Sequence, residues 1–159
     1  MIRCGFHGLS YESIVHALGS ELAPRTVIAH LGSGASLCAL KDGRSVHTSM
    51  GMTPTGGIPM ATRSGDLDPG VLIHMLRNEL LDAGALEALV KKHCGLKALS
   101  SSDDDMPALL ARRDKGDAEA TLTVDVFCMA IRKTIGAYAA ASANTARRFA
   151  RKCSMDSRL

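Results

Sequence analysis

The fold is decided by residues 26–50, whose sequence reads TVIAHLGSGASLCALKDGRSVHTSM. Three strand-like runs lie within it, at Thr26–Leu31, Ala35–Leu40 and Arg44–Met50. A Gly-Ser-Gly segment separates the first two runs, and Asp42-Gly43 separates the second and third. Asp and Gly tolerate the positive φ that tight hairpin turns need. The stretch therefore predicts antiparallel hairpins early in an α/β fold.

Helical patterns follow a long segment rich in Gly and Pro, residues 51–70, whose length alone is typical of a functional loop. Asp68 and Pro69 favour a helix start, because Asp caps free N–H groups and Pro suits the first helical position. A second helix around Leu86 is predicted to stop at Gly95. Helices are therefore expected to make up most of the chain after the hairpins.

The last long helix is predicted over residues 117–141. Its main stripe at helical spacing is Leu122, Val126, Met129 and Lys133, widened by Phe127, Ile131, Ile135 and Tyr138. After it, residues 142–159 are strongly basic with little apolar periodicity, which indicates a disordered, solvated tail. The chain is thus divided into a folded portion, 1–141, and a basic tail, 142–159.

Composition excludes several classes of protein. The chain has 159 residues, which favours one domain, and its net charge of +3 is too small to indicate binding to nucleic acid or to a membrane. No apolar run is long enough to span a bilayer. Five widely spaced cysteines do not form a disulfide or zinc pattern, so a reducing cytoplasm is expected.

The segment Gly32-Ser33-Gly34 has two interpretations. Glycines between strands can point successive N–H groups at a phosphate, and they can equally form a plain hairpin turn. The Walker and Rossmann glycine patterns are both absent, and no Gly-x-Ser-x-Gly elbow supports a serine hydrolase. Phosphate binding and a simple turn therefore both stay open.

Two other side chains are candidates for binding an anion. Arg63 lies in a Gly-flanked loop and could donate two parallel N–H groups to a phosphoryl group, or it could form a salt bridge with Asp66 or Asp68. His7 lies between two glycines and could donate to an anion or serve a structural role. His30 and His47 are interpreted as structural residues.

Read together, these features resemble the acetate kinase family. The match spans residues 3–141, which is most of this chain, and its segments occur in the family's order: 5–8 (GFHG), 30–36 (HLGSGAS), 48–54 (TSMGMTP), 62–70 (TRSGDLDPG) and 131–138 (IRKTIGAY). The resemblance implies a ribonuclease-H-like α/β fold of the actin, Hsp70 and sugar kinase superfamily. In that family two such domains flank a cleft, and this chain resembles the first half of the second domain.

The resemblance also implies an activity and its catalytic residues. The expected reaction is reversible phosphoryl transfer from ATP to acetate or another short carboxylate, giving ADP and an acyl phosphate such as acetyl phosphate. His7 would steady the transferring phosphoryl group, and Arg63 would neutralise its charge. Pro54 would help to form the pocket for the acetate methyl group.

The same resemblance implies which residues bind the nucleotide. Gly32, Ser33 and Gly34 would hold the ATP phosphates, and Asp105 and Met106 would lie near the adenosine. Mg²⁺ is the expected cofactor, with its ligands mainly outside this chain. Two departures stand out, since Ser33 replaces a common Asn and Pro107 replaces a common Arg.

The resemblance covers only part of the family's pattern. The first domain and the segment that follows the Tyr138 helix are not found, and the basic tail is interpreted as a truncated or frame-shifted reading frame. The chain is therefore expected to have little or no activity alone. The alternative is a non-catalytic module that docks on a full-length kinase subunit, and the family's homodimer makes such docking plausible.

Overall fold

A computed structural model describes residues 5–78, 81–101 and 105–142 of the chain. The basic tail predicted to be disordered lies, apart from its first residue, outside the described residues. A short 3-10 helix, Gly19–Glu21, follows the first helix. The other elements are, in order, α1 Gly8–Leu18, β1 Arg25–Leu31, β2 Ala35–Lys41, β3 Arg44–Thr48, α2 Pro69–Asn78, α3 Ala83–Lys92, α4 Gly95–Ser100, α5 Met106–Asp114 and α6 Ala118–Ser142.

The three strands form one antiparallel sheet in the order β1-β2-β3. The predicted hairpins are confirmed. Leu31 pairs with Ala35 around the Gly-Ser-Gly turn. Asp42 and Gly43 have φ values of 51° and 73°, so both central residues of the second turn take the left-handed conformation that such turns require.

Strand β2 is the central strand, and it is buried on both faces from Ala35 to Leu40. Successive side chains of a strand point to opposite faces. Leu37 and its odd-numbered neighbours pack in a core that includes Phe127 of α6, whereas Cys38 and Leu40 pack with Tyr11 of α1. The sheet therefore lies between α1 on one face and the carboxyl-terminal helices on the other.

Helix α2 begins as the sequence predicts. Its first residue is Pro69, and the Asp68 carboxylate accepts a hydrogen bond of 2.7 Å from the Gly70 N–H group. The prediction that the next helix stops at Gly95 is wrong, because α3 ends at Lys92 and Gly95 begins α4. Gly95 instead allows the backbone at the start of α4 to lie close to the backbone of Met60, since a Cβ atom on residue 95 would lie 2.1 Å from the Met60 carbonyl oxygen.

Helix α6 matches the predicted span, but its main predicted stripe is not the buried one. Leu122 is 57% exposed and Met129 is 48% exposed, whereas Val124 and Phe127 are buried. The helix carries apolar residues on two sides, and packing against β1, β2, α4 and α5 covers only one of them. None of the described helices is both long enough and apolar enough to cross a membrane.

Candidate active site

The site is built around His7, which precedes the first residue of α1 with a left-handed φ of 62°. Its Nδ1 atom lies 2.9 Å from the Ser36 hydroxyl of β2. Its ring stacks on that of His30, with centroids 4.0 Å apart and an angle of 18° between the planes. His30 in turn has its Nδ1 atom 3.1 Å from the Ser10 hydroxyl. Each imidazole is therefore held at Nδ1 by a serine, and its Nε2 atom is left for other contacts.

Both Nε2 atoms face the turn at residues 32–34. A Cβ atom built on Gly34 would lie 3.4 Å from His7 Nε2 and 3.3 Å from Arg63 Nη1, and one built on Gly32 would lie 3.4 Å from His30 Nε2. The absence of side chains at these two glycines therefore leaves room for the histidines and Arg63 to reach the turn.

The turn is a hairpin loop with an internal hydrogen bond, in which the Gly32 N–H group donates to the Gly34 carbonyl at 3.2 Å. The plain-turn interpretation thus describes its backbone, and the Gly32 N–H group is already engaged. The Ser33 carbonyl accepts a hydrogen bond of 3.2 Å from the Ala61 N–H group, which ties the turn to the loop that carries Arg63. The phosphate-cradle interpretation of Gly32, Ser33 and Gly34 stays a prediction.

Arg63 points into the site rather than along its own loop. Its Nη1 atom donates to the Pro54 carbonyl at 3.2 Å and lies 3.7 Å from the Met60 sulfur. No salt bridge joins it to Asp66 or Asp68 in the described part of the chain. Of the two sequence interpretations of Arg63, the salt bridge is therefore wrong, and the guanidinium is left beside His7 and Gly34.

The electrostatics of the site favour a neutral His7. Burial lowers the pKa of His7 below its ordinary value of 6.5, and the neighbouring His30 and Arg63 lower it further. Burial acts on the charged form because it removes water, and a nearby cation disfavours a second positive charge. At neutral pH His7 therefore has one N–H donor and one acceptor nitrogen.

Four of the five residues expected to hold the nucleotide share one cavity, and Gly34 is not among its lining residues. The cavity has a volume of about 370 Å³, and its walls include Gly32, Ser33, Asp105, Met106 and Pro107. Asp105 also caps α5, because its carboxylate accepts a hydrogen bond of 3.3 Å from the Ala108 N–H group. Pro107 lies in the first turn of that helix, where the lack of an N–H group costs nothing.

The comparisons with known proteins identify the family. The sequence model of the acetokinase family matches residues 1–146. The chain belongs to the acetokinase family. A curated relative within it is the acetate kinase of Methylocella silvestris, which is 45% identical over 143 residues. The match covers 87% of this chain and 34% of that enzyme.

Solved structures of the family show the same fold. The acetate kinase of Porphyromonas gingivalis superposes with a TM-score of 0.79 at 38% identity, over 87% of this chain and 36% of the enzyme. A propionate kinase of Francisella tularensis gives a TM-score of 0.78 at 31% identity, over 86% of this chain and 36% of the enzyme. The predicted fold class is therefore confirmed, and the chain spans about a third of the length of these kinases.

Three contributors to the site were missed by sequence reasoning. His30 was interpreted as a structural residue, and Ser36 and Tyr11 were not considered. A signal for two of them was present, because His30 and Ser36 pair directly across the hairpin and flank the glycine turn symmetrically. Tyr11 reaches Ser36 from α1, a helix that the sequence analysis did not predict.

The ligands of the expected Mg²⁺ were predicted to lie mainly outside this chain. No three His, Cys, Asp or Glu side chains within residues 5–78, 81–101 and 105–142 group together in a way that would hold a metal ion. Asp66 is already engaged, since its carboxylate accepts a hydrogen bond of 2.8 Å from the Gly57 N–H group. No ligand to Mg²⁺ is therefore assigned among these residues.

Proposed function

We propose that this chain contributes one side of a phosphoryl-transfer site, in which ATP phosphorylates acetate or another short carboxylate to give an acyl phosphate. The observation that carries the proposal is the convergence of His7 Nε2 and Arg63 Nη1 on Gly34, at 3.4 Å and 3.3 Å from its ideal Cβ position. Membership of the acetokinase family supports the same reaction, because relatives are named acetate and propionate kinases.

Arg63 and His7 suit the chemistry of the transferred group. Phosphoryl transfer depends mainly on positioning and on stabilising the charge spread over the phosphoryl oxygens. A guanidinium supplies strong charge-assisted hydrogen bonds, and a neutral imidazole supplies one donor without a second full charge. We assign to Arg63 the neutralisation of charge and to His7 the orientation of the phosphoryl group.

The nucleotide is proposed to bind on the other side of the turn. The cavity of about 370 Å³ joins Ser33 of the turn to Asp105 and Met106 at the start of α5. In this arrangement the turn, 32–34, would contact the ATP phosphates, and Met106 would lie against the adenosine. Pro54 is proposed to form part of the carboxylate pocket, because its carbonyl oxygen holds Arg63.

The rest of the site is proposed to come from outside this chain. The chain spans about a third of the length of its relatives, and a phosphoryl group needs donors on several sides. We therefore expect little or no turnover from the chain alone. A non-catalytic module that docks on a full-length kinase subunit is the alternative, and a homodimer stays a prediction.

The first experiment measures ATP binding by calorimetry and acyl phosphate formation with ATP, Mg²⁺ and acetate. Arg63→Ala should weaken ATP binding about tenfold or more, because a hydrogen bond to a charged group contributes about 1.5–3 kcal/mol and 1.4 kcal/mol is a factor of ten. Arg44→Ala, an exposed arginine of β3, is the matched control and should bind as the unmodified chain does.

The ATP affinities and the acyl phosphate assay together decide whether the proposed site is correct. Equal ATP affinity in the unmodified chain and both variants would contradict the proposed site. Acyl phosphate formation that disappears in Arg63→Ala would mean that the chain assembles a working site alone, against our expectation of incompleteness. Measurable ATP binding without turnover would support the proposal as stated.

A further inference from the structure

A chain of hydrogen bonds runs behind His7, away from the proposed phosphoryl site. The Tyr11 hydroxyl contacts the Ser36 hydroxyl, and Ser36 Oγ lies 2.9 Å from His7 Nδ1. Tyr11 is 6% exposed and Ser36 is fully buried. Because water is excluded from both hydroxyls, these contacts determine how their protons are arranged.

Counting protons and lone pairs leaves three arrangements for the three groups. Ser36 has a single hydroxyl proton but two lone pairs, and a neutral imidazole has a proton on only one nitrogen. In the first arrangement Tyr11 donates to Ser36 and Ser36 donates to His7 Nδ1, which leaves the imidazole proton on Nε2. In the second, His7 Nδ1–H donates to Ser36 and Ser36 donates to Tyr11, which leaves Nε2 bare. In the third, Ser36 accepts from both Tyr11 and His7 Nδ1–H, and Nε2 is again bare.

The fate of the buried protons favours the first arrangement. In the described residues the phenol of Tyr11 has Ser36 as its hydrogen-bond partner, and the side chain of Ser36 has Tyr11 and His7. The second arrangement would leave the Tyr11 proton without an acceptor, and the third would leave the Ser36 proton without one, which costs free energy in a buried site. The proton of Tyr11 therefore goes to Ser36, and that of Ser36 goes to His7.

We propose that Ser36 is a positioning residue, which donates to His7 Nδ1 and so holds the imidazole in the tautomer with its proton on Nε2. That N–H group then faces Gly34 and Arg63, the place where the proposed function puts the phosphoryl oxygens. The use of this donor rests on the proposed function, whereas the tautomer itself rests only on the hydrogen bonds. A bare Nε2 would instead direct a lone pair at an anion and repel it.

His30 provides a contrast within the same stack. Its Nδ1 atom lies 3.1 Å from Ser10, whose hydroxyl is only partly buried and has no tyrosine behind it. Nothing comparable to Tyr11 orders the Ser10 proton in the described residues. His7, rather than His30, is therefore the imidazole with a fixed donor.

The test measures the tautomer directly by NMR of the ¹⁵N-labelled full chain, above the ordinary histidine pKa of 6.5. Couplings between ring nitrogens and carbon-bound protons distinguish an Nε2–H ring from an Nδ1–H ring. In the unmodified chain His7 should populate the Nε2–H tautomer alone. Ser36→Ala should convert it to a mixture of both, because no hydroxyl then donates to Nδ1.

The matched control is Ser10→Ala, which removes the hydroxyl that contacts His30 Nδ1. It should leave the His7 tautomer unchanged. If Ser36→Ala does not fold, Tyr11→Phe is the second variant: it leaves His7 as the partner of the Ser36 hydroxyl and should keep the Nε2–H tautomer. An Nδ1–H ring in the unmodified chain or in Tyr11→Phe, or an unchanged tautomer ratio in Ser36→Ala, would overturn the proposal.

Titration with ATP separates this proposal from the proposed function. A His7 Nε2–H resonance that is present and moves when ATP is added would support both. A resonance that is present but does not move with ATP would support the tautomer and count against the phosphoryl site. A His7 ring without a fixed tautomer in the unmodified chain, with ATP binding intact, would do the reverse.

Discussion

The chemistry of His7 is set by its surroundings more than by its residue type. A solvent-exposed histidine titrates near 6.5, within reach of physiological pH. Here burial, the His30 ring and the Arg63 cation all disfavour the charged imidazole. The same contacts that favour anion binding therefore keep His7 neutral, and this links the site to the stability of the fold.

We expect His7 to make the chain less stable in mild acid. A lowered folded-state pKa means that the unfolded chain binds the proton first, so stability is present above pH 6.5 and is lost as the pH falls toward the folded pKa. Urea unfolding on both sides of pH 6.5 measures the loss. His7→Asn should flatten this dependence.

His16→Asn is the control for that experiment, because it removes an exposed histidine from α1. It should leave the pH dependence of the free energy of unfolding as it is in the unmodified chain. The same flattening in both variants would show that His7 has no special part in it.

At the scale of elements, the start of α4 supports the loop that carries Arg63. Gly95 has a φ of 68°, and a Cβ atom there would lie 2.1 Å from the Met60 carbonyl and 2.7 Å from the Arg63 carbonyl. The Leu96 and Lys97 N–H groups donate to the carbonyls of Met60 and Ala61 at 2.9 and 3.0 Å. The helix therefore holds this loop by direct backbone contact.

Gly95→Ala should accordingly destabilise the fold far more than Gly116→Ala. Gly116 also has a positive φ, 85°, but a Cβ atom there meets nothing within 4 Å, so only the backbone cost of about 1–2 kcal/mol applies. Urea unfolding of the two variants measures the difference. Equal losses would mean that the loop at residues 60–63 moves aside without cost.

Helix α6 shows why periodicity alone did not identify the buried face. Its span was predicted closely from apolar residues at helical spacing, because helix formation depends on local sequence. Both Leu122 and Phe127 fit an apolar stripe, yet Leu122 is 57% exposed and Phe127 is 8% exposed. The choice between the two faces depends on β2 and α4, which lie far away in sequence.

At the scale of the whole molecule, the chain carries one coherent part of a larger kinase fold. It spans about a third of the length of its relatives, with two cores on the two faces of one sheet. His7, Gly34 and Arg63 come from three separate segments and meet at one end of the first hairpin. The contribution of these three residues to catalysis can therefore be tested by placing this chain within a whole enzyme.

A chimera can be made by replacing the matching part of the Methylocella silvestris acetate kinase with residues 5–142 of this chain. We expect this chimera to form acyl phosphate. Arg63→Ala within the chimera should lower kcat about 10²–10³-fold, the usual cost of removing one donor to developing charge. Arg44→Ala should not lower it. A folded chimera without activity would contradict the proposal that this chain carries one side of the site.

Features that depend on neighbouring residues follow from the amino-acid sequence alone. Asp42-Gly43 specifies a tight turn, Asp68 and Pro69 specify a helix start, and the spaced motifs indicate the family, since each acts through local backbone preferences or an ordered pattern. Which groups meet in the site depends instead on how the elements pack. Tyr11, Ser36 and His7 come together because α1 packs on the even-numbered face of β2, and such long-range packing leaves no periodic trace in any one segment.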